Sequence, residues 1–244
     1  MKILIIVPTY NEAENIQPFL LELIEFVDAN SSGKDFIILN VDDNSPDGTG
    51  AIVQKFNDPR IQQINRPRKL GLGPAYLSGF AWGLERDFDL FVEIDSDGSH
   101  SIEDFSKLLQ ASTPGKLVIG TRWMPGGSVV NWPWYRRAIS LLGTKYAALA
   151  LALPYRDLTS GYRVIPRNVL EAIKLDSVLA KGYGFQIEMV MKTVYAGFGV
   201  LEVPITFTER AKGKSKMTFS IALEAFLNIT QWGLKRIFRW GYLR

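Results

Sequence analysis

The first hundred residues alternate between short apolar runs and segments with helical spacing, and this alternation restricts the chain more than any other feature. Ile3 to Val7 is apolar without a break, as in a strand buried on both faces. Asn11-Glu-Ala-Glu then offers a helix cap with acids in the first turn, and Ile16, Phe19, Leu20, Leu23, Ile24 and Val27 recur at the spacing of one helix face. Phe36 to Val41 reads as a second strand, Thr49 to Phe56 as a helix and Ile61 to Ile64 as a short strand. Gly71-Leu-Gly-Pro-Ala opens a helix over Ala75 to Glu85, and Leu90 to Ile94 supplies the next strand. This βαβαβαβ order predicts an α/β fold with a mostly parallel sheet flanked by helices. Polar loops follow three of the strands, at Pro8 to Glu12, Asp42 to Gly48 and Asp95 to His100. Ligands of open α/β sheets bind at that edge, so the loops are expected to face one crevice.

The second half is less regular. Leu117 to Gly120 reads as a strand, Trp123 to Trp134 as a loop rich in Gly and Trp, and Arg136 to Leu153 as a helix. A turn over Tyr155 to Arg163, a helix near Phe185 to Tyr195 and a strand at Val200 to Phe207 complete the compact part. No repeat or linker divides it. The expected organisation is one compact domain over 1–217 and an amphipathic C-terminal helix over 218–244.

Several classes of chemistry are excluded by residue counts. The chain has no cysteine and one histidine, so it cannot build a thiolate or multi-histidine metal site, and a serine triad is disfavoured. Its longest apolar stretch, Tyr146 to Leu153, is too short to span a bilayer. Met1 to Pro8 reads as a strand rather than a signal peptide, and a cytoplasmic location is expected. The net charge is only +3, but cations cluster late, from Arg210 to Lys216 and again from Lys235 to Arg244. They surround no nucleic-acid module, so the choice is between a solvated surface and an anionic partner.

Glu93-Ile-Asp-Ser-Asp-Gly-Ser-His100 places three carboxylates within five residues at the end of a strand. Asp95 and Asp97 are two apart, and a pair of aspartates can hold a hard divalent ion whose other positions go to water and phosphate oxygens. The competing reading is an Asp-Gly turn before a helix whose first turn carries Glu103 and Asp104.

Pro8-Thr-Tyr-Asn-Glu12, Asp42-Asp-Asn-Ser-Pro-Asp-Gly-Thr49 and Gly71-Leu-Gly-Pro-Ala75 precede the Asp-Ser-Asp triplet in this order, with a strand expected between successive motifs. Gly120-Thr-Arg122, Asp157-Leu-Thr-Ser-Gly-Tyr-Arg163, Lys181-Gly-Tyr-Gly-Phe-Gln-Ile-Glu188 and Phe207-Thr-Glu-Arg-Ala-Lys-Gly-Lys-Ser-Lys216 follow. Together they resemble glycosyltransferase family 2, specifically its dolichyl- or polyprenyl-phosphate mannosyltransferases, over nearly the whole chain. The resemblance implies a GT-A, Rossmann-like fold and a Mg²⁺- or Mn²⁺-dependent, inverting transfer of mannose from GDP-mannose to a polyprenyl monophosphate. It implies that Pro8, Tyr10, Glu12, Val41 and Asp43 surround the guanine nucleoside and that Asp95 and Asp97 carry the metal and diphosphate. Ser99 stands as an auxiliary ligand where some relatives have glutamine, and Ser96 with Asp97 marks the mannose.

By the same resemblance Asp97 and Arg122 are the catalytic residues, with Arg122 also a donor contact near the active site, Arg210 and Lys216 belong to a mobile phosphate-binding loop, and Arg136 and Arg137 begin a helix on the acceptor side. Here Leu141 or Leu142 stands where that helix usually carries a further basic residue. A phosphate monoester's second pKa of ~6 leaves the attacking oxygen anionic at neutral pH, so no catalytic base is required, and His100 reads as a helix-start or loop residue rather than a proton carrier. Phe219, Ala222, Leu223, Phe226 and Ile229 recur at helical spacing, fitting equally a core helix or one at a membrane surface. The lipid acceptor implies peripheral contact with the cytoplasmic face of a membrane, with a membrane-anchoring partner protein as a further tether. UDP-glucose as donor is the alternative; a non-catalytic nucleotide-sugar-binding protein would lack intact Asp95 and Asp97.

Overall fold

The computed structural model describes residues 1–180, 182–210 and 219–238. Its centre is a seven-stranded sheet of order β3-β2-β1-β4-β7-β5-β8, made by β1 (Lys2–Thr9), β2 (Asp35–Asp42), β3 (Ile61–Asn65), β4 (Leu90–Glu93), β5 (Lys116–Thr121), β7 (Arg163–Pro166) and β8 (Gly199–Pro204). All pairs are parallel except those of β7, which runs antiparallel between β4 and β5. A two-stranded ribbon joins β6 (Ser128–Val130) to β9 (Thr206–Thr208).

The unbroken apolar run of β1 follows from burial on both faces. Ile3, Ile5 and Val7 enter one core with Phe19, Leu20 and Leu23 of α1 (Ile16–Asn30) and Phe105 of α4 (Glu103–Ala111). Leu4 and Ile6 enter the other with Phe80 of α3 (Leu72–Leu84), Ala147 and Leu151 of α5 (Trp134–Leu151), and Phe185 of α7 (Tyr183–Tyr195). Helix α3 lies unusually close to the sheet: a Cβ on Gly83 would stand 2.5 Å from Leu4 Cδ2 and from Phe91 Cε1. Two further helices are short and long respectively, α6 (Arg167–Ala172) and α8 (Phe219–Ile237), while α2 (Thr49–Gln54) links β2 to β3.

Several elements depart from the sequence reading: β6 lies inside the loop expected over Trp123 to Trp134, α3 and α5 each begin earlier than expected, and three further departures have visible causes. Helix α1 starts at Ile16, not at an Asn11 cap. Asn11 has a left-handed φ of 55°, and the Asn11, Glu12 and Ala13 amides donate to Ser45, Thr49 and Asp47 of the next loop. The expected turn up to Arg163 continues as β7, whose four buried residues are too few to show a period. The expected strand Val200–Phe207 is two strands, because Ile205 breaks away: its amide still donates to Thr121, while its carbonyl accepts from Ser128.

Helix α8 packs along α5 through Tyr146, which stacks on Phe226 with ring centroids 5.0 Å apart and shares a hydrogen bond with Thr230. Ile229 is buried there, whereas Leu223, Phe226 and Leu227 are exposed. Of the late basic cluster, Lys235 and Arg236 lie on α8, and Arg239 and Arg244 fall outside the described residues.

Candidate active site

The loops after β1, β2 and β4 converge on an open cleft of about 270 Å³. Pro8, Tyr10, Glu12, Asp43, Asp95, Ser96, Asp97 and Arg210, named from the sequence, all line it. Lys69, Gly71, Leu72, Gly182 and Glu224 line it as well, so helix α8 contributes to the wall.

Buried polar contacts lock the first two loops together. Asp42 accepts from the hydroxyls of Thr9 and Ser45 at 2.9 and 2.6 Å and from the Ser45 amide at 2.8 Å. Asp43 accepts from the amides of Leu70 and Gly71 at 3.0 and 2.9 Å, and from Arg66 at 2.6 Å. Its carboxylate therefore fixes the segment that presents Lys69, whose ammonium lies 4.0 Å from the centre of the Tyr10 ring. Val41 points elsewhere: its side chain is fully buried in the core.

The acidic pair sits where β4 stops. The Asp95 side chain is 35% exposed, and that of Asp97 only 8%. Asp95 lies 3.5 Å from the Tyr76 hydroxyl and 3.8 Å from His100 Nε2. Burial, reinforced by the charge of Asp95, pushes the Tyr76 phenol well above its usual pKa and keeps it a donor. The Ser99 amide donates to Asp97 Oδ1 at 3.0 Å, and the Ser99 hydroxyl donates to the same oxygen. Ser99 thus turns its hydroxyl to Asp97 rather than outward. Asp97 Oδ2 faces Arg210 Nη2 at 3.2 Å.

Among the described residues, no group of three or more His, Asp or Glu side chains could hold a metal ion. Two carboxylates opening on a cleft suit Mg²⁺ or Mn²⁺, which usually takes one or two carboxylates and completes its shell with water and substrate phosphates. The donor set fits such an ion shared with a diphosphate.

Arg122 is held away from the cleft lining. Its amide, Nε and Nη2 donate to Asp157 at 3.1, 2.7 and 2.8 Å, and its guanidinium lies 5.3–5.7 Å from the rings of Trp123, Trp132 and Phe207. Arg136 pairs with Glu209 and stacks on Trp132 at 4.2 Å; Arg137 is exposed. Neither lines the cleft. His100 is buried between Tyr162 and Phe207, with ring centroids 4.8 and 5.1 Å away, and its backbone bridges to Phe207. Lys216 lies outside the described residues.

Beneath the acids, Glu93 and Arg163 are fully buried 3.9 Å apart. Arg163 donates to the carbonyls of Ser160, Gln186 and Leu158 at 2.8, 2.8 and 3.0 Å, pinning the turn that carries Asp157 and passes Asp95. Gln186 donates to Glu93 at 2.8 Å. Burial raises the Glu93 pKa to about 7 despite Arg163 and Gln186, and lowers that of Arg163.

A mostly parallel sheet with its acidic pair at the carboxyl edge is the GT-A arrangement, and residues 4–174 match the Glycosyl transferase family 2 profile. The chain belongs to that family. It is 46% identical over 246 residues to the undecaprenyl-phosphate mannosyltransferase of Micrococcus luteus, covering 100% of this chain and 98% of that one. It is 45% identical to the polyprenol monophosphomannose synthase of Mycolicibacterium smegmatis, covering 95% of this chain and 87% of that one. The fold is shared with glucosyl-3-phosphoglycerate synthase from Mycobacterium tuberculosis, solved with Mn²⁺, UDP and glucosyl-3-phosphoglycerate: TM-score 0.62 and 19% identity over 96% of this chain and 79% of that one.

Proposed function

We propose that this chain transfers mannose from GDP-mannose to a polyprenyl monophosphate, with inversion, giving a polyprenyl β-mannosyl phosphate and GDP. The observation that carries the reading is the convergence of Asp95, Asp97 and Arg210 on one cleft, in a chain similar along its full length to an undecaprenyl-phosphate mannosyltransferase. Asp95 and Asp97 would hold Mg²⁺ or Mn²⁺, as the Mn²⁺ and UDP of the glucosyl-3-phosphoglycerate synthase structure suggest by analogy. When bound, that ion neutralises charge on the departing diphosphate. Tyr76 and Ser99 orient the two carboxylates, and Arg210 with Lys216 engages diphosphate oxygens. Pro8, Tyr10, Glu12 and Asp43 border the nucleoside end, where Lys69 adds a cation over Tyr10.

The acceptor brings its own nucleophile as an anionic phosphate oxygen, so no base is needed. Arg136 and Arg137, at the start of α5, are assigned to that phosphate, and Arg122 steadies the aromatic wall between the two sites.

Access to a lipid acceptor favours peripheral docking on the cytoplasmic face of a membrane. No described helix is long and apolar enough to cross one. The outer sides of α5 and α8 expose Trp134, Ile139, Leu142, Leu149, Leu227 and Phe238, an apolar face suited to the headgroup boundary. An anchoring partner protein would act through the same face.

Asp97→Ala tests the reading. The purified variant is expected to lose transfer while keeping the wild-type circular dichroism spectrum. Wild-type turnover in that variant would remove Asp97 from the mechanism.

A further inference from the structure

The pair between Asp97 and Arg210 has a consequence for how the cleft is loaded, and it rests on the donor-site reading above. Ser99 holds Oδ1 of Asp97 through its amide and hydroxyl. Arg210 Nη2 sits 3.2 Å from Oδ2, with both side chains largely buried. The cleft is also acidic as a whole. Glu12, Asp43, Asp95, Asp97 and Glu224 line it against Lys69 and Arg210, although Asp43 is balanced by Arg66 from behind.

We infer that Arg210 stands on Asp97 in the place of a divalent cation, and that the two exchange when the donor binds. An ion entering beside a guanidinium 3.2 Å from its ligand meets like-charge repulsion. A diphosphate relieves that repulsion by offering Arg210 a new bidentate partner.

The backbone next to Arg210 is built for such a swing. The Glu209 amide donates to Val130 at 3.1 Å, and the Glu209 carboxylate pairs with Arg136 of α5. The chain is therefore anchored one residue before Arg210, whose side chain can change partners without moving β9. By linkage, cation and nucleotide each strengthen the other's binding.

Mn²⁺ binding, read from the free-ion signal in electron paramagnetic resonance, tests this without turnover. Wild type, Arg210→Ala, Arg210→Lys and Lys69→Ala are titrated with Mn²⁺ alone and again with GDP present. Arg210→Ala is expected to bind Mn²⁺ alone roughly five-fold tighter than wild type, the scale of one partly buried charge pair. Its gain on adding GDP should shrink accordingly. With Mn²⁺ alone, Arg210→Lys, which keeps the charge, should stay within about two-fold of wild type, and Lys69→Ala, which removes a cation of the same cleft, should shift less than about two-fold.

Unchanged or weaker Mn²⁺ binding in Arg210→Ala would overturn the exchange and leave the donor reading standing. An equal gain in Lys69→Ala would also overturn it, by reducing the effect to general cleft charge. Failure of wild type to bind Mn²⁺ even with GDP would instead overturn the metal-dependent donor site, and the exchange with it.

Discussion

Replacing Glu93 by glutamine should abolish a loss of stability that the wild type suffers as pH rises from 4.5 to about 7. Glu93 is fully buried, and burial carries its pKa from the usual 4.5 to about 7, outweighing Arg163 at 3.9 Å and the Gln186 amide at 2.8 Å. Below pH 4.5 the folded and unfolded chains both hold the proton. Between 4.5 and about 7 the unfolded chain has released it and the folded chain has not. The folded state then binds more protons, so stability falls as pH rises through this window. At about 1.4 kcal/mol for each pH unit, the fall amounts to about 3 kcal/mol as an upper figure. In Glu93→Gln the acceptor for Gln186 persists, and the guanidinium of Arg163 keeps its three carbonyl partners, but nothing at position 93 titrates. Urea unfolding at half-unit steps from pH 4.5 to 8 measures the effect as the difference between the two profiles. Parallel profiles, or a wild type that gains stability relative to the variant as pH rises, would refute the reasoning.

Other expectations follow from the same contacts. Asp157→Ala leaves Arg122 as a buried charge without its carboxylate and should cost about 3–5 kcal/mol in urea unfolding; a loss under about 1 kcal/mol would contradict the pairing. Gly83→Ala drives a methyl to within 2.5 Å of Leu4 and Phe91 and should destabilise by about 1–3 kcal/mol, with calorimetry as the check. Ile139→Glu with Leu142→Glu should reduce sedimentation with vesicles containing anionic lipid several-fold, since both side chains are exposed on α5. Unchanged sedimentation would argue against that face as the membrane contact. Removing 232–244 tests the tail's share in the same assay.

Much of the sheet was legible because β1, β2 and β4 are apolar and each ends in polar residues at a ligand-binding edge. Pro8, Tyr10, Glu12, Asp43 and the acidic pair were named from motifs, and all of them line one cleft. What escaped depends on contacts between distant residues. β7 is four residues long and is defined only by its place between β4 and β5. Lys69 reaches Tyr10 because Asp43 holds the Leu70 and Gly71 amides, a relation across 27 residues that no local pattern encodes. Asp157 was visible within a motif but carried no role until Arg122 was found on it. The Arg210 pairing with Asp97 spans more than a hundred residues and is likewise tertiary. Ser99 shows the limit of motif transfer: it lies beside Asp97, but its hydroxyl donates to that carboxylate.

The central claim is settled most directly by one transfer assay with purified protein. A polyprenyl monophosphate is incubated with GDP-mannose or, separately, with UDP-glucose, each with and without Mg²⁺, and lipid-linked sugar is measured. The account predicts lipid-linked mannose from GDP-mannose with Mg²⁺ alone among the four conditions. Lipid-linked glucose from UDP-glucose, or mannose transfer undiminished by chelation of the metal, would contradict it.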